Sequence, residues 1–203
     1  MPTETIVQMT NDEGQITKIA LFGTSADPPT AAHQAILEWL SEHYDWVAVW
    51  ASDNPFKGHQ TSLEHRMEML RLLIEEIKTP RKNIRVYEEL SHLRSLISVE
   101  KAKELWGNEA EYHLVIGSDL VNQIRRWYRF EELLKQVQIL VIPRPGYPIA
   151  EEDLEALHSL GGKCIVADLD APAISSTAYR EKRNKNIVTQ PVKEYIKREK
   201  LYI

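Results

Sequence analysis

Six short strand-like runs, mostly apolar and each leading into a loop and then a helix-patterned segment, restrict the fold of this chain more than any other feature. They are residues 19–22, 46–50, 84–87, 112–116, 138–142 and 164–167. Runs that stay apolar without alternation suit strands covered on both faces, the usual state of a parallel sheet. Between and after them the spacing predicts helices over about 31–42, 62–77, 98–106, 120–128 and 151–159, a short segment at 131–136 and two closing helices. In the second helix Met67, Leu70, Ile74 and Ile77 recur at helical spacing behind a Ser62 N-cap, and Pro80 stops it. This alternation predicts an α/β fold with a doubly wound, Rossmann-like parallel sheet. Ligands of such sheets bind beyond the carboxyl ends of the strands, where the winding reverses. The loops to inspect are therefore 23–30, 53–58, 117–119, 143–146 and 168–177.

A chain of 203 residues suits one domain, read as residues 18–203 behind a flexible N-terminal tail, residues 1–17. Hydrophobic residues at 43% and charged residues at 27% exclude disordered and fibrous classes. The net charge of −5 argues against a nucleic-acid partner, so any phosphate must be held locally. No run approaches the roughly 18 apolar residues of a membrane span, and residues 1–17 lack the pattern of a secretory signal. The expectation is a cytoplasmic protein without a membrane partner. Cys164 is the sole cysteine, which excludes an internal disulfide and a cysteine zinc site. Trp39 and Trp46 are candidates for a homo-oligomer interface. G-x-G-x-x-G, the P-loop, H-E-x-x-H and G-x-S-x-G are all missing, which weighs against dehydrogenases, P-loop NTPases, zinc hydrolases and serine esterases.

Three stretches remain that can carry chemistry. Gly23-Thr24-Ser25-Ala26 offers backbone with little side-chain bulk, Pro28 and Pro29 stiffen the turn, and Thr30 and His33 share a face at the start of a helix. An isolated T-x-x-H is more often a polar patch on an amphipathic helix. Ile174-Ser175-Ser176-Thr177, with Arg180 a turn later, serves equally as an N-cap or a phosphate site. Gly117-Ser118-Asp119 places an acid at a strand end, and Trp127, flanked by Arg125, Arg126 and Arg129, suits ring stacking or a place in the core.

Taken together, these stretches resemble the nicotinate and nicotinamide mononucleotide adenylyltransferases of the nucleotidyltransferase superfamily. Thr30-Ala31-Ala32-His33 is similar to (T/H)-x-G-H, with Ala32 in place of the glycine and Ala26 in place of an aromatic residue. Residues 174–180 fill every fixed position of I-S-S-T-x-x-R, and Gly117-Ser118-Asp119 with Trp127 resembles the G-x-D and tryptophan pattern. Asn54-Pro55-Phe56-Lys57 is similar to P-P-x-K, Glu64-His65-Arg66 to E-H-R, and Arg144-Pro145-Gly146 to R-P-G, whereas residues 94–100 depart from S-Y-T-x-D.

The resemblance implies a nucleotidyltransferase-type fold and adenylyl transfer from ATP to a pyridine mononucleotide in NAD biosynthesis. It implies His33, Thr30 and Arg180 as catalytic residues. Gly23, Thr24, Ser25, Gly117, Asp119, Ile174, Ser175, Ser176 and Thr177 would complete the ATP site, and Asn54, Lys57, Ser98, Asp119, Trp127 and Arg144 would hold the mononucleotide. Mg²⁺ would arrive on the ATP phosphates, with no protein metal cage. The alternatives are another small-molecule nucleotidyltransferase, of the pantetheine-phosphate or cytidylyl type, or a nucleotide-binding module without catalysis.

Overall fold

The computed structural model describes residues 16–53, 58, 61–182 and 185–203. Six parallel strands form one sheet: β1 Lys18–Thr24, β2 Trp46–Ala51, β3 Ile84–Val86, β4 Glu111–Gly117, β5 Gln138–Ile142 and β6 Cys164–Val166. Their order is β3-β2-β1-β4-β5-β6, so the winding reverses between β1 and β4. The uninterrupted apolar runs sit at the centre. Ile19, Ala20, Leu21, Val47, Ala48, Val49 and Ile139 are fully buried, as two-sided coverage requires. The edge strands β3 and β6 have three residues each, and Ile165 and Val166 of β6 are exposed.

Seven helices accompany the strands among the described residues: α1 Ala31–His43, α2 Leu63–Glu75, α3 Ser95–Trp106, α4 Phe130–Gln136, α5 Glu151–Ser159, α6 Ser176–Lys182 and α7 Gln190–Arg198. By contact they group as α1, α2 and α7 on one hand and α3 with α4 on the other. Ser62 caps α2 as predicted, its hydroxyl accepting from the His65 N–H at 3.4 Å. That helix ends at Glu75, leaving Ile77 beyond it.

The helix expected over 120–128 is replaced by two 3₁₀ turns, Ser118–Leu120 and Ile124–Arg126. Val121 and Ile124 are buried and Trp127, its backbone already extended, packs against the core, so the segment keeps its apolar residues inward without a continuous helix. The tail boundary also shifts. Thr17 is buried, and its carbonyl accepts from the Glu111 N–H at 2.9 Å, so the folded unit includes a residue assigned to the tail; residues 1–15 of that tail lie outside the described residues.

Candidate active site

The two loops at the winding reversal follow β1 and β4. In the first, Thr30 is the N-cap of α1 and forms a reciprocal capping box with His33. The Thr30 N–H donates to His33 Nδ1 at 3.1 Å. A backbone N–H can only donate, so Nδ1 accepts and the neutral ring carries its proton on Nε2. Nε2 stands 3.0 Å from Thr24 Oγ1, the last residue of β1, and donates to it. The sequence pattern T-x-x-H is therefore a cap and an aimed N–H donor at once.

Gly23 of the same loop has a reason other than ligand approach. A Cβ there would meet the Trp50 indole at 2.6 Å, so the absent side chain makes room for a buried tryptophan of β2. Ala26 is fully buried with φ of 45°, a left-handed conformation at a position where the family motif carries an aromatic residue. Ala32 is 8% exposed, so its methyl is largely covered by protein atoms and does not stand bare in an open phosphate cradle. Ser25 Oγ is buried with no hydrogen-bond partner among the described residues.

Helix α6 is drawn onto this loop from the far end of the chain. Ser176 Oγ donates to the Pro28 carbonyl at 2.7 Å, and Arg180 Nη1 donates to the Asp27 carbonyl at 2.6 Å. Arg180 Nη2 also donates to Thr177 Oγ1 at 3.3 Å, and Ser175 Oγ accepts from the Ala178 N–H at 3.1 Å as the cap. The hydroxyls of this helix start thus differ: Ser175 is committed to the cap, while the Thr177 hydroxyl is exposed and Arg180 is half-buried. Ile174 is half-buried at the helix approach. Trp39 Nε1 donates to the Asp168 carbonyl at 3.1 Å, and Trp46 Nε1 to Tyr87 Oη at 3.0 Å. Both indoles are half-buried and packed against the core, so neither is the free aromatic surface an interface was expected to use.

On the β4 side, Asp119 Oδ2 pairs with Arg144 Nη1 at 3.1 Å, joining two residues expected to act separately on the mononucleotide. The other oxygen, Oδ1, is buried with no hydrogen-bond partner among the described residues. A Cβ on Gly117 would press against that oxygen and against Arg144 Cδ at 2.8 Å, so this glycine is what lets the pair close. Ser118, which the sequence reading passed over, fixes the turn: its hydroxyl accepts from the Arg144 N–H at 2.9 Å and donates to the Tyr147 carbonyl at 2.8 Å. Trp127 packs one side on the core and lines a cleft of about 440 Å³ with Arg125, Arg129, Phe130, Glu132 and Lys135. Arg129 is paired with Glu132 and is thus less available to a ligand than its place beside Trp127 suggested.

Ser98 does not fit its expected role. It is 1% exposed and its hydroxyl donates to the Leu90 carbonyl at 2.7 Å, an internal bond that holds α3 to the 3₁₀ turn Glu88–Leu90. Asn54 and Lys57 lie outside the described residues.

Two groups organise the site without having been assigned a role in it, Arg66 having only the resemblance of Glu64-His65-Arg66 to E-H-R behind it. Arg66 is 2% exposed, and its Nη1 donates to the Ser25 carbonyl at 3.0 Å and the Ser52 carbonyl at 2.8 Å, clamping the loops after β1 and β2 together. Burial pushes its guanidinium pKa down, partly offset by Asp27 and Asp53. Asp27, 1% exposed, accepts at Oδ1 from Thr61 Oγ1 at 2.8 Å and Tyr202 Oη at 2.5 Å. An arginine three residues into a helix is a weak clue, since only tertiary contact reveals that it is buried.

A family model described as Cytidylyltransferase-like matches residues 21–182. A protein of Synechocystis sp. named "Probable nicotinate-nucleotide adenylyltransferase" is 48% identical over 197 residues, covering 91% of this chain and 98% of its own length. The nicotinate-nucleotide adenylyltransferase of Bacillus subtilis is 26% identical over 91% of this chain and 98% of its own. The solved structure of Plasmodium falciparum nicotinic acid mononucleotide adenylyltransferase complexed with NaAD matches with a TM-score of 0.78 at 23% identity, over 92% of this chain and 97% of that one, a likeness of fold. The chain belongs to the cytidylyltransferase-like family, in its group of nicotinate-nucleotide adenylyltransferases.

Proposed function

We propose that this protein joins the AMP part of ATP to nicotinate mononucleotide and releases pyrophosphate, a step of NAD biosynthesis. The observation that carries this reading is the pair of bonds from Ser176 and Arg180 to the carbonyls of Pro28 and Asp27, which bring a hydroxyl-and-arginine helix start beside the His33 loop. In the reaction a mononucleotide phosphate oxygen attacks the α-phosphorus of ATP in line. The bond from that phosphorus to the bridging oxygen breaks, and pyrophosphate leaves. Such transfers rest on positioning and charge stabilisation and need no protein nucleophile.

His33 fits the stabilising role because Thr30 fixes its tautomer, leaving the Nε2 proton to pass from Thr24 Oγ1 to an α-phosphate oxygen when ATP binds. Arg180, Ser176 and Thr177 face the departing pyrophosphate. Gly23, Thr24, Ser25, Gly117 and Ile174 shape the ATP side. The partnerless Ser25 Oγ and Asp119 Oδ1, one on each side of the winding reversal, are the buried polar atoms that a bound nucleotide would satisfy. Trp127 supplies a stacking face for the pyridine ring. Among the described residues no group of three or more His, Cys, Asp or Glu is arranged as a metal cage. Mg²⁺ carried on the ATP phosphates would neutralise their charge when bound, and Asp119, with its buried Oδ1, is the group of this chain that would help hold it. No helix among the described residues is long and apolar enough to cross a membrane.

The test is pyrophosphate release from ATP and Mg²⁺ with nicotinate and nicotinamide mononucleotides compared side by side. Dinucleotide formation with strong preference for the nicotinate form is expected. Release with neither, or faster release with a pantetheine phosphate or a CTP-dependent substrate, would overturn the reading.

A further inference from the structure

After α7 the chain reverses direction through two residues in the left-handed region, Lys200 with φ of 52° and Tyr202 with φ of 57°. Each such conformation costs a non-glycine residue about 1 kcal/mol or more and persists where the surroundings over-determine it. Here the reversal delivers the Tyr202 side chain to the nucleotide loop. Its hydroxyl donates to Asp27 Oδ1 at 2.5 Å and lies 3.4 Å from Thr61 Oγ1. Its ring meets Tyr179 of α6 edge-on, with centroids 5.6 Å apart. Burial, reinforced by the Asp27 carboxylate, pushes the Tyr202 hydroxyl pKa upward, so it stays a proton donor across the physiological range.

One side chain therefore touches the β1–α1 loop, the approach to α2 and the helix that carries Arg180. Asp27 is the hinge of this arrangement. Its carboxylate accepts the hydrogen bond of the Tyr202 hydroxyl, and its own backbone carbonyl accepts from Arg180 Nη1 at 2.6 Å. Loss of the phenol leaves a buried carboxylate short of a donor, and its relaxation moves the carbonyl that fixes Arg180.

We propose that Tyr202 is a positioning residue for ATP, acting through Asp27 to hold Arg180 and the His33 loop in the geometry that receives the phosphates. The proposal rests on the adenylyl-transfer reading, which makes Arg180 and the His33 loop the receiver of the ATP phosphates. It is tested with Tyr202→Phe, which keeps the ring against Tyr179 and removes only the hydroxyl, and with Tyr195→Phe as the comparison. Tyr195 lies on α7 and its hydroxyl bonds His65 Nδ1 of α2 at 2.8 Å, so that variant loosens the same helix without touching Asp27.

Calorimetric titration with a non-hydrolysable ATP analogue should show affinity about ten-fold weaker in Tyr202→Phe and within about two-fold of the parent in Tyr195→Phe. In steady state the ATP KM of Tyr202→Phe should rise by a similar factor while the mononucleotide KM holds within about two-fold. A Tyr202→Phe affinity within about two-fold of the parent overturns the proposal, and so does an equal loss in Tyr195→Phe, which would mark a general loosening of α7. A parent protein that binds the analogue and makes no dinucleotide sinks the proposed reaction while leaving the affinity comparison to decide the role of Tyr202.

Discussion

Replacing His33 separates the two jobs that the structure gives it. His33→Ala removes the Nδ1 acceptor of the Thr30 N–H, a capping bond at the start of α1, and the Nε2 donor aimed at Thr24 Oγ1. Loss of the cap costs about 1 kcal/mol, which for a chain of this size lowers Tm by about 2–4 °C. Loss of a donor to charge that builds in the transition state costs about 2.7–4 kcal/mol, or a turnover lower by about 10²- to 10³-fold. His33→Gln divides these effects. Thr30-x-x-Gln is a regular capping box, in which the glutamine carbonyl reaches back to the Thr30 N–H. Its stability should therefore fall within about 0.5 kcal/mol of the parent, and its turnover should lie between the alanine variant and the parent, because the amide N–H₂ restores part of the lost donor. Calorimetric melting and a pyrophosphate-release assay at saturating substrates give the two readouts. Turnover in His33→Ala within ten-fold of the parent would show that His33 acts as a cap alone, and the mechanism would then lack its donor.

Arg66→Met should cost about 3–5 kcal/mol of stability, because it strips the Ser25 and Ser52 carbonyls of their shared donor and removes one of the positive charges near the buried Asp27 carboxylate. Urea unfolding measures this, and a loss under about 1 kcal/mol would refute the clamp. Trp127→Ala should raise the mononucleotide KM about 5- to 150-fold, the loss of about 1–3 kcal/mol of stacking, with the ATP KM little changed; equal effects on both would make the indole purely structural. Burial holds the pKa of His113 below its usual 6.5, with Glu111 opposing and Tyr44 packed on its other nitrogen. The folded state thus binds its proton later than the unfolded chain does. The stability contribution is complete above the unfolded value and declines as pH falls below it, levelling once the folded value is passed. Urea unfolding at about pH 7.5 and about pH 5.5 should show a smaller acid loss in His113→Gln than in the parent, and an equal loss would remove His113 from the account.

The strands were legible because burial on both faces demands uninterrupted apolar residues, and residues 138–142 were assigned with the observed limits. The segment 120–128 reads as a helix because apolar residues spaced by three share a face of an α-helix as well, so the pattern does not separate it from two short 3₁₀ turns. Ser98 was misplaced for a different reason: position beside a family motif says nothing of whether a hydroxyl faces solvent or an internal carbonyl.

The sequence by itself determined the α/β class, the parallel sheet and the residues of the three chemical stretches, since these depend on local period, turn residues and the identity of side chains. Only the tertiary structure decided how they act together. That Arg180 is anchored by the Asp27 carbonyl, that Asp119 closes on Arg144, and that Arg66 and Tyr202 are drawn inside to hold the nucleotide loop are pairings between residues up to 175 apart in the chain. Sequence pattern has no term for such distances, because the free energy that selects them is the desolvation of buried polar groups, and that cost exists only once the core has closed around them.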